Sequence, residues 1–364
     1  MDPIAVYVHI PFCPTKCGYC DFNSYAMEGE VMQRTTEAII AEIQRSPVSG
    51  RPAKSIFFGG GTPTYLPEEQ LISIFETVLR THPPLPGAEI TSEANPGTVD
   101  AQKFSAMRNA GFNRISLGAQ SFQNEELLVL GRVHKAGEIE RAVGAAREAG
   151  FDNLNLDLMF ALPNQRMEGW KQNLQRALAL DPEHLSLYCL TIEPNTAFYK
   201  KNLRGQLDLP DDEKQVAMYD HCLDEMEAKG YEQYEISNFA KPNRECKHNL
   251  SYWNAEEYVG YGPGAVGAYA NVRYTNLKHP DGYCKAINEG AELQFEKETL
   301  TKEMLHIERV MLGLRLNRGT PKQSLEEASI KRLIDRNWIK EEGNLISLTR
   351  AGRHFCSEVC LELI

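Results

Sequence analysis

Short runs rich in β-branched and aromatic residues recur along the first half of the chain, each followed by a longer stretch whose apolar positions repeat every three to four residues. Ile4 to His9 precedes a helical pattern near Glu30 to Arg45, and Ser55 to Phe58 precedes one near Pro67 to Thr81. Ala88 to Glu93 leads to Ala101 to Ala110, and Arg114 to Gly118 leads to two short helices ending near Ala149. Asn153 to Phe160 leads to Glu168 to Leu180, and a sixth strand is expected from His184 to Ile192. A switch between period two and period 3.6 in this order predicts strand–helix units in series. Such units build a parallel sheet with right-handed crossovers. The expected fold class is α/β, an incomplete (β/α)6 barrel in preference to an open doubly wound sheet. In either, loops at the C-terminal strand ends converge on one site.

After the sixth strand the rhythm breaks. A helix is expected near Asp211 to Lys229 and a strand from Tyr231 to Ser237, and a glycine- and aromatic-rich segment runs from Tyr252 to Tyr269. From about Leu300 the pattern is helical again. It continues through Ile330 to Asn337, a hairpin from Ile339 to Leu348 turning at Glu342-Gly343-Asn344, and a last helix from Arg350. Three regions follow: a partial barrel over 1–195, an extension or lid over 196–299, and a winged-helix-like α+β domain over 300–364. The last carries no dense Lys/Arg face, so packing or partner contact fits it better than DNA binding.

Composition narrows the classes. With 364 residues, 42% hydrophobic and 24% charged, the chain reads as an ordinary globular protein with ample core. No apolar run reaches the ~18 residues of a membrane span. The first residues alternate like a strand and lack a basic leader, so a cytoplasmic location is expected. A net charge of -11 argues against sequence-independent nucleic-acid binding, which needs a basic surface to displace phosphate counterions. Nine cysteines, an odd number with three packed into eight residues, do not read as a secreted disulfide framework.

Those three, Cys13-Pro-Thr-Lys-Cys17-Gly-Tyr-Cys20, directly follow the first strand. The spacing lets one loop wrap a [4Fe-4S] cubane with three thiolates. A four-iron cluster normally takes four, so one iron stays without a protein ligand. S-adenosylmethionine (SAM) can chelate an open iron through its amino and carboxylate groups, and an electron passed to its sulfonium cleaves a carbon–sulfur bond. That chemistry belongs to the cofactor. Two other readings are a zinc site completed by His9 or Asp21, and three unrelated buried thiols. The pair Cys356 and Cys360 stands at helical i, i+4 spacing without a knuckle's turn residues.

Other residues at strand ends carry weaker signals. Gly59-Gly60-Gly61-Thr62-Pro63 follows the second strand and reads equally as a ligand loop or a tight turn. Glu93 closes the third strand and offers a carboxylate for an ammonium. Asp157 alternates with Leu154, Leu156, Leu158 and Phe160, which turns it away from the leucines and into the barrel; a buried acid there needs a ligand or an arginine. Gln120 and Arg132 by themselves read as surface residues. In Cys246-Lys-His248-Asn249-Leu-Ser-Tyr252-Trp253, a histidine beside large aromatics reads as a structural hydrogen bonder or as an axial iron ligand.

The run Tyr7-Val-His-Ile-Pro-Phe-Cys13-x3-Cys17-x-Tyr19-Cys20 resembles the radical SAM signature of the oxygen-independent coproporphyrinogen III oxidase family and its heme-chaperone relatives. The likeness extends through motifs to about Gly267 and a terminal domain of the expected kind. It implies a [4Fe-4S] cluster on Cys13, Cys17 and Cys20. It also implies SAM contacts at Tyr7, Gly60, Gly61, Thr62, Glu93, Gln120, Arg132 and Asp157. Phe22 stands where the oxidases carry a further cysteine, as in the chaperone group, and is placed with the cofactor-binding residues; no residue is assigned a catalytic role. Only six residues precede Tyr7, where the oxidases carry a longer extension. The block around His248 resembles the His-Asn-x-x-Tyr-Trp motif of the chaperones and implies heme contact there. The function implied is a heme chaperone that binds heme, the cluster and SAM and passes heme to acceptor proteins, membrane-associated respiratory components among them. The alternative is the oxidase reaction itself, coproporphyrinogen III to protoporphyrinogen IX.

Overall fold

The computed structural model describes residues 1–364. Six parallel strands come first: β1 (Ile4–Ile10), β2 (Ala53–Gly60), β3 (Pro84–Ala94), β4 (Arg114–Gln120), β5 (Leu154–Phe160) and β6 (His184–Cys189). The helices between them are α1 (Glu30–Gln44), α2 (Glu68–Thr81), α3 (Ala101–Ala110), the pair α4 (Asn124–Leu130) and α5 (Ala136–Glu148), and α6 (Met167–Ala179). Alternation along each strand decides the two faces. Ile4, Val6, Val8 and Ile10 of β1, and Leu154, Leu156, Leu158 and Phe160 of β5, pack outward into one core with the helices. The intervening Tyr7, His9, Asp157 and Met159 face the concave side. Asp100 starts α3 by accepting from the Lys103 N–H, and Gly111 ends it at φ 121°, a conformation that favours glycine.

The segment expected as an extension or lid extends both edges of this sheet. After α7 (Ala197–Asn202) and α8 (Asp212–Ala228), the expected single strand is a tight hairpin, β7 (Glu232–Glu235) and β8 (Asn238–Ala240). Its second strand pairs antiparallel with β6. The chain then crosses to the far edge through α9 (Lys247–Trp253), and β9 (Tyr258–Tyr261) joins β1 in parallel, Tyr7 opposite Gly260. β10 (Val266–Tyr269), β11 (Val272–Asn276), α10 (Pro280–Glu289) and β12 (Gln294–Thr299) complete a twelve-stranded sheet ordered β12-β11-β10-β9-β1-β2-β3-β4-β5-β6-β8-β7. Burial of Val259, Tyr261, Tyr283 and Ile287 in the barrel's own core makes the extension part of the same packing unit.

The last region has a separate core of Val310, Leu314, Ile330, Leu333, Ile346 and neighbours. It comprises α11 (Lys302–Arg315), β13 (Thr320–Pro321), α12 (Glu327–Asp335), β14 (Ile339–Glu342), β15 (Leu345–Leu348), α13 (Arg350–Arg353) and α14 (Cys356–Leu363). The small antiparallel sheet, ordered β13-β15-β14, with helices before and between its strands is the winged-helix arrangement. Buried Glu235 ties this domain to the barrel through Arg315, 3.4 Å away.

Candidate functional site

The loops after the parallel strands enclose a cavity of about 450 Å³. Its floor is the cysteine loop, which the fold holds on three sides. Cys13 N–H donates to the Tyr25 carbonyl at 3.1 Å, and Gly18 N–H to the Leu130 carbonyl at 3.1 Å. Lys16 Nζ reaches back to the carbonyls of Phe22 and Ser24, at 2.9 and 3.3 Å. Gly18 lies under Phe198, whose ring stands 2.8 Å from where a Cβ would be. Cys13, Cys17 and Cys20 are unpaired and half-buried, and all three line the cavity. Burial pushes the Cys13 thiol up and that of Cys20 to about 11, so these two stay protonated in the metal-free loop. Iron reverses that order, because its charge deprotonates a coordinating thiol.

Two observations bear on what this cavity fits. Arg132 sends Nη2 to the Gly118 carbonyl at 2.7 Å and Nη1 toward Cys17 Sγ at 3.8 Å, while its buried Nε has no partner. Half-buried Glu93 has one hydrogen bond, from the Gly60 N–H at 3.2 Å, and desolvation with the neighbouring Asp157 pushes its carboxyl up to about 8. An unmet guanidinium donor and an under-supplied acid suit a ligand carrying both a carboxylate and an ammonium. Three thiols on one loop beside them suit a cluster with one open iron. His9 is not available to complete a zinc site. Its ring, neutral because burial lowers it to about 4, donates from Nε2 to the Asn23 carbonyl and accepts at Nδ1 from Tyr7 Oη, at 2.8 and 2.9 Å.

The glycine loop acts partly as a turn. Gly61 and Thr62 N–H donate to the carbonyls of Ile10 and Phe12, at 2.8 and 2.7 Å, and Gly60 N–H serves Glu93. With these three N–H groups taken, the loop's backbone can offer a ligand only acceptors, which suits an ammonium better than a phosphate. Gly60 needs its φ of 103°, and a Cβ there would lie 2.4 Å from the His9 ring. Thr62 Oγ1 lies 3.4 Å from Cys13 Sγ. Gln120 sits at positive φ, 63°, where β4 breaks register with β5. Asp157 faces the cavity, and its partners are Asn155 Nδ2 at 2.8 Å and Ser116 Oγ at 3.3 Å. Arg114 supplies charge without touching it. Phe22, 60% exposed, stands on the rim.

A family model described as the radical SAM superfamily matches residues 7–177. Among solved structures, E. coli coproporphyrinogen III oxidase HemN, a radical SAM enzyme, superposes with TM-score 0.85 at 23% identity over 99% of this chain and 90% of that one, which establishes the shared fold. The heme chaperone HemW of Bacillus subtilis is 38% identical over 98% of this chain and 97% of its own length. HemW of Haemophilus influenzae is 36% identical over 100% and 98%, and HemW of E. coli 42% identical over 78% and 76%. The chain belongs to the HemW family.

Two expected site residues of this HemW-family chain, Tyr7 and His248, lie off the cluster cavity. Tyr7 and His9 line a second, lateral cavity, with the Tyr7 ring 6.3 Å from both Phe57 and His248. The heme contact expected at His248 has no geometry here. Its side chain is 1% exposed, lies against Phe57 at 5.0 Å between centroids, and engages Ser55 Oγ at Nδ1 and Tyr252 Oη at Nε2, both at 2.9 Å. Neither nitrogen is open to iron, and burial lowers its pKa to about 3. Its own N–H and that of Lys247 donate to Glu89, which anchors α9 beneath the barrel. The motif is structural at His248 and reaches a cavity only at Tyr252. Residues the sequence reading missed include Cys189, Tyr188 and Glu193, which join the cluster cavity from the end of β6 and the loop beyond. Their position at and just beyond the end of a predicted strand was the available signal.

Proposed function

We propose that this protein is a heme chaperone that binds heme, holds a [4Fe-4S] cluster on Cys13, Cys17 and Cys20 with SAM on the open iron, and passes heme to acceptor proteins. The observation that carries the reading is full-length kinship with chaperones named HemW, joined to a cavity whose three free thiols, unmet Arg132 Nε and under-supplied Glu93 match the donor needs of cluster and SAM. When bound, the cluster supplies an electron and SAM accepts it. The protein's part is positional. Arg132 offers a donor to a carboxylate, Glu93 and the glycine loop accept from an ammonium, Gln120 and Asp157 face the rest of the ligand, and Phe22 shields the rim.

The test is an anaerobic titration of the cluster-reconstituted protein with hemin, then mixing with an apo heme protein. The expected result is saturable binding near one heme per chain followed by transfer, with coproporphyrinogen left unconsumed when SAM and reductant are added. Turnover of coproporphyrinogen without stable heme binding would move the assignment to the oxidase. Cys17→Ser is expected to lose the cluster's visible absorbance and keep the far-ultraviolet spectrum.

A further inference from the structure

Past β1 the sheet continues as β9, β10 and β11, and α11 faces its concave side, leaving the lateral cavity of about 670 Å³ between them. One wall is the sheet face of Tyr258, Val266, Ala268 and Arg273, with Tyr269 reaching its edge from the other face. The other is Leu305 and Leu312, one helix face at i, i+7, with Met311 at the mouth, 41% exposed. Tyr7 and His9 close the inner end, and the His9 ring lies against Gly60, so one layer of side chains separates the two cavities. The cluster cavity is committed to cluster and SAM, so a large planar ligand needs other space. This second space has largely apolar and aromatic walls, its carboxylates Glu256, Glu257 and Glu308 are paired with Lys54, Arg51 and Arg273, and Arg309, which makes no ion pair in the fold, stands at its rim.

Four tyrosines reach the cavity. Tyr7 donates to His9 and Tyr252 is engaged with His248. Tyr258 and Tyr269 hydroxyls have no protein partner. Of these two, Tyr258 shares the cavity face with its cross-strand partner Ala268 and lies near Arg273; burial raises its phenol, the charge of Arg273 offsets that only in part, and Glu308 adds to it. Arg273 is itself fixed by Glu298 and Glu308, at 2.6 and 2.5 Å. Phenolate oxygen is an established axial ligand for heme iron.

We infer that the lateral cavity is the heme site, with ferric iron on Tyr258 Oη, the macrocycle between the β9–β10 face and α11, and a propionate on Arg309. The phenol proton leaves to solvent as the iron–oxygen bond forms. This placement rests on the heme reading above and is separable from it.

The test is a hemin titration of the cluster-reconstituted full chain in wild type, Tyr258→Phe and Ala268→Trp, with thermal unfolding and cluster absorbance as checks of fold. Wild type is expected to bind one hemin with a phenolate-to-iron charge-transfer band and phenolate Raman modes. Tyr258→Phe, which removes one oxygen and keeps the ring, is expected to lose both and bind at least tenfold more weakly; Ala268→Trp is expected to block binding. Because Tyr258→Phe is so conservative, it decides the ligand even if Ala268→Trp does not fold. If wild type binds one hemin and both folded variants match it in affinity and spectrum, the placement is overturned while the heme reading stands. Should Ala268→Trp block binding but Tyr258→Phe keep the phenolate signature, the ligand assignment is overturned. No stoichiometric binding by wild type overturns the heme reading and this placement with it.

Discussion

At Glu93 burial and the neighbouring Asp157 push the carboxyl up to about 8, against partial opposition from the Gly60 N–H and Arg114. An acid raised above its unfolded value stabilises the fold below about pH 4.5, and that contribution is lost as pH rises through 8. Ligand-free Glu93→Gln is therefore expected to gain Tm relative to wild type between pH 6 and pH 9, read by thermal scans across that range. An ammonium beside Glu93 reverses the preference, so SAM binding at pH 7 is expected to release close to one proton. Calorimetry in buffers of differing ionisation heat reads that proton, and Glu93→Gln is expected to release none and bind SAM about tenfold more weakly. His248 makes the opposite case, a histidine whose polar atoms are already satisfied. His248→Ala strands Ser55 and Tyr252 and removes the ring from Phe57, with an expected cost of about 2–4 kcal/mol. Chemical unfolding measures that loss. Hemin stoichiometry of the folded fraction is expected to stay at the wild-type value, and a variant of normal stability that binds no heme would return the ligand to His248.

Among the elements, β9 decides whether the sheet can extend beyond the barrel. It has only four residues, and its docking depends on close approach: a Cβ on Gly260 would lie 2.0 Å from the Val266 carbonyl, and one on Gly262 2.3 Å from the His9 carbonyl. Gly262 N–H, Asn276 Nδ2 and Tyr283 Oη all converge on buried Glu42 of α1, fixing β9, β11 and α10 to the barrel. Gly260→Ala forces β9 and β10 apart and is expected to cost about 3 kcal/mol or more, seen as a lower Tm and faster amide exchange across β9 to β11. The cysteines are held by the Tyr25 and Leu130 carbonyls and not by β9 itself, so cluster reconstitution in the folded fraction is expected to persist. Elements β1 to β6 were legible in the sequence because each strand's alternation and each helix's repeat are local. β8 and β9 were not, because they are brief strands whose partners β6 and β1 lie far away in sequence, and pairing at that distance leaves no periodic trace.

For the whole molecule, burial holds several histidines neutral. His9 and His134 are lowered to about 4 and His248 to about 3, while His184 and His82 are also lowered. A histidine lowered in the fold contributes stability above its unfolded value near 6.5, and loses it as pH falls through the folded value. The raised acids work from the other side: Glu42, up to about 7, and Glu93, up to about 8, lose their contribution as pH rises. The ligand-free protein is accordingly expected to show its highest Tm between about pH 5 and pH 7, falling on both sides. A Tm rising steadily to pH 9 would contradict this electrostatic picture. No helix is long and apolar enough to cross a membrane.

The cluster loop could be recognised in sequence because its chemistry depends on spacing within eight residues, and the barrel because its strands and helices announce themselves locally. Asp157 was placed correctly on the concave face by alternation alone. Of the two partners expected for it, a ligand or an arginine, no arginine touches it: Asn155 and Ser116 hold it beside the cavity, since the strand's own pleat and a neighbouring strand bring those groups closer than Arg114. The histidine motif shows the converse. Residue types compatible with iron ligation stood together, but which atoms were free depended on Ser55, Phe57 and Glu89, three residues far upstream that fold beneath α9. The lateral cavity likewise exists only because β9 to β11 pass β1 and α11 arrives from another domain to cover them. Local pattern determined the elements and the thiolate loop; long-range packing decided which polar atoms remain open, because a hydrogen bond or a wall contributed from a distant segment leaves no mark near the residue it occupies.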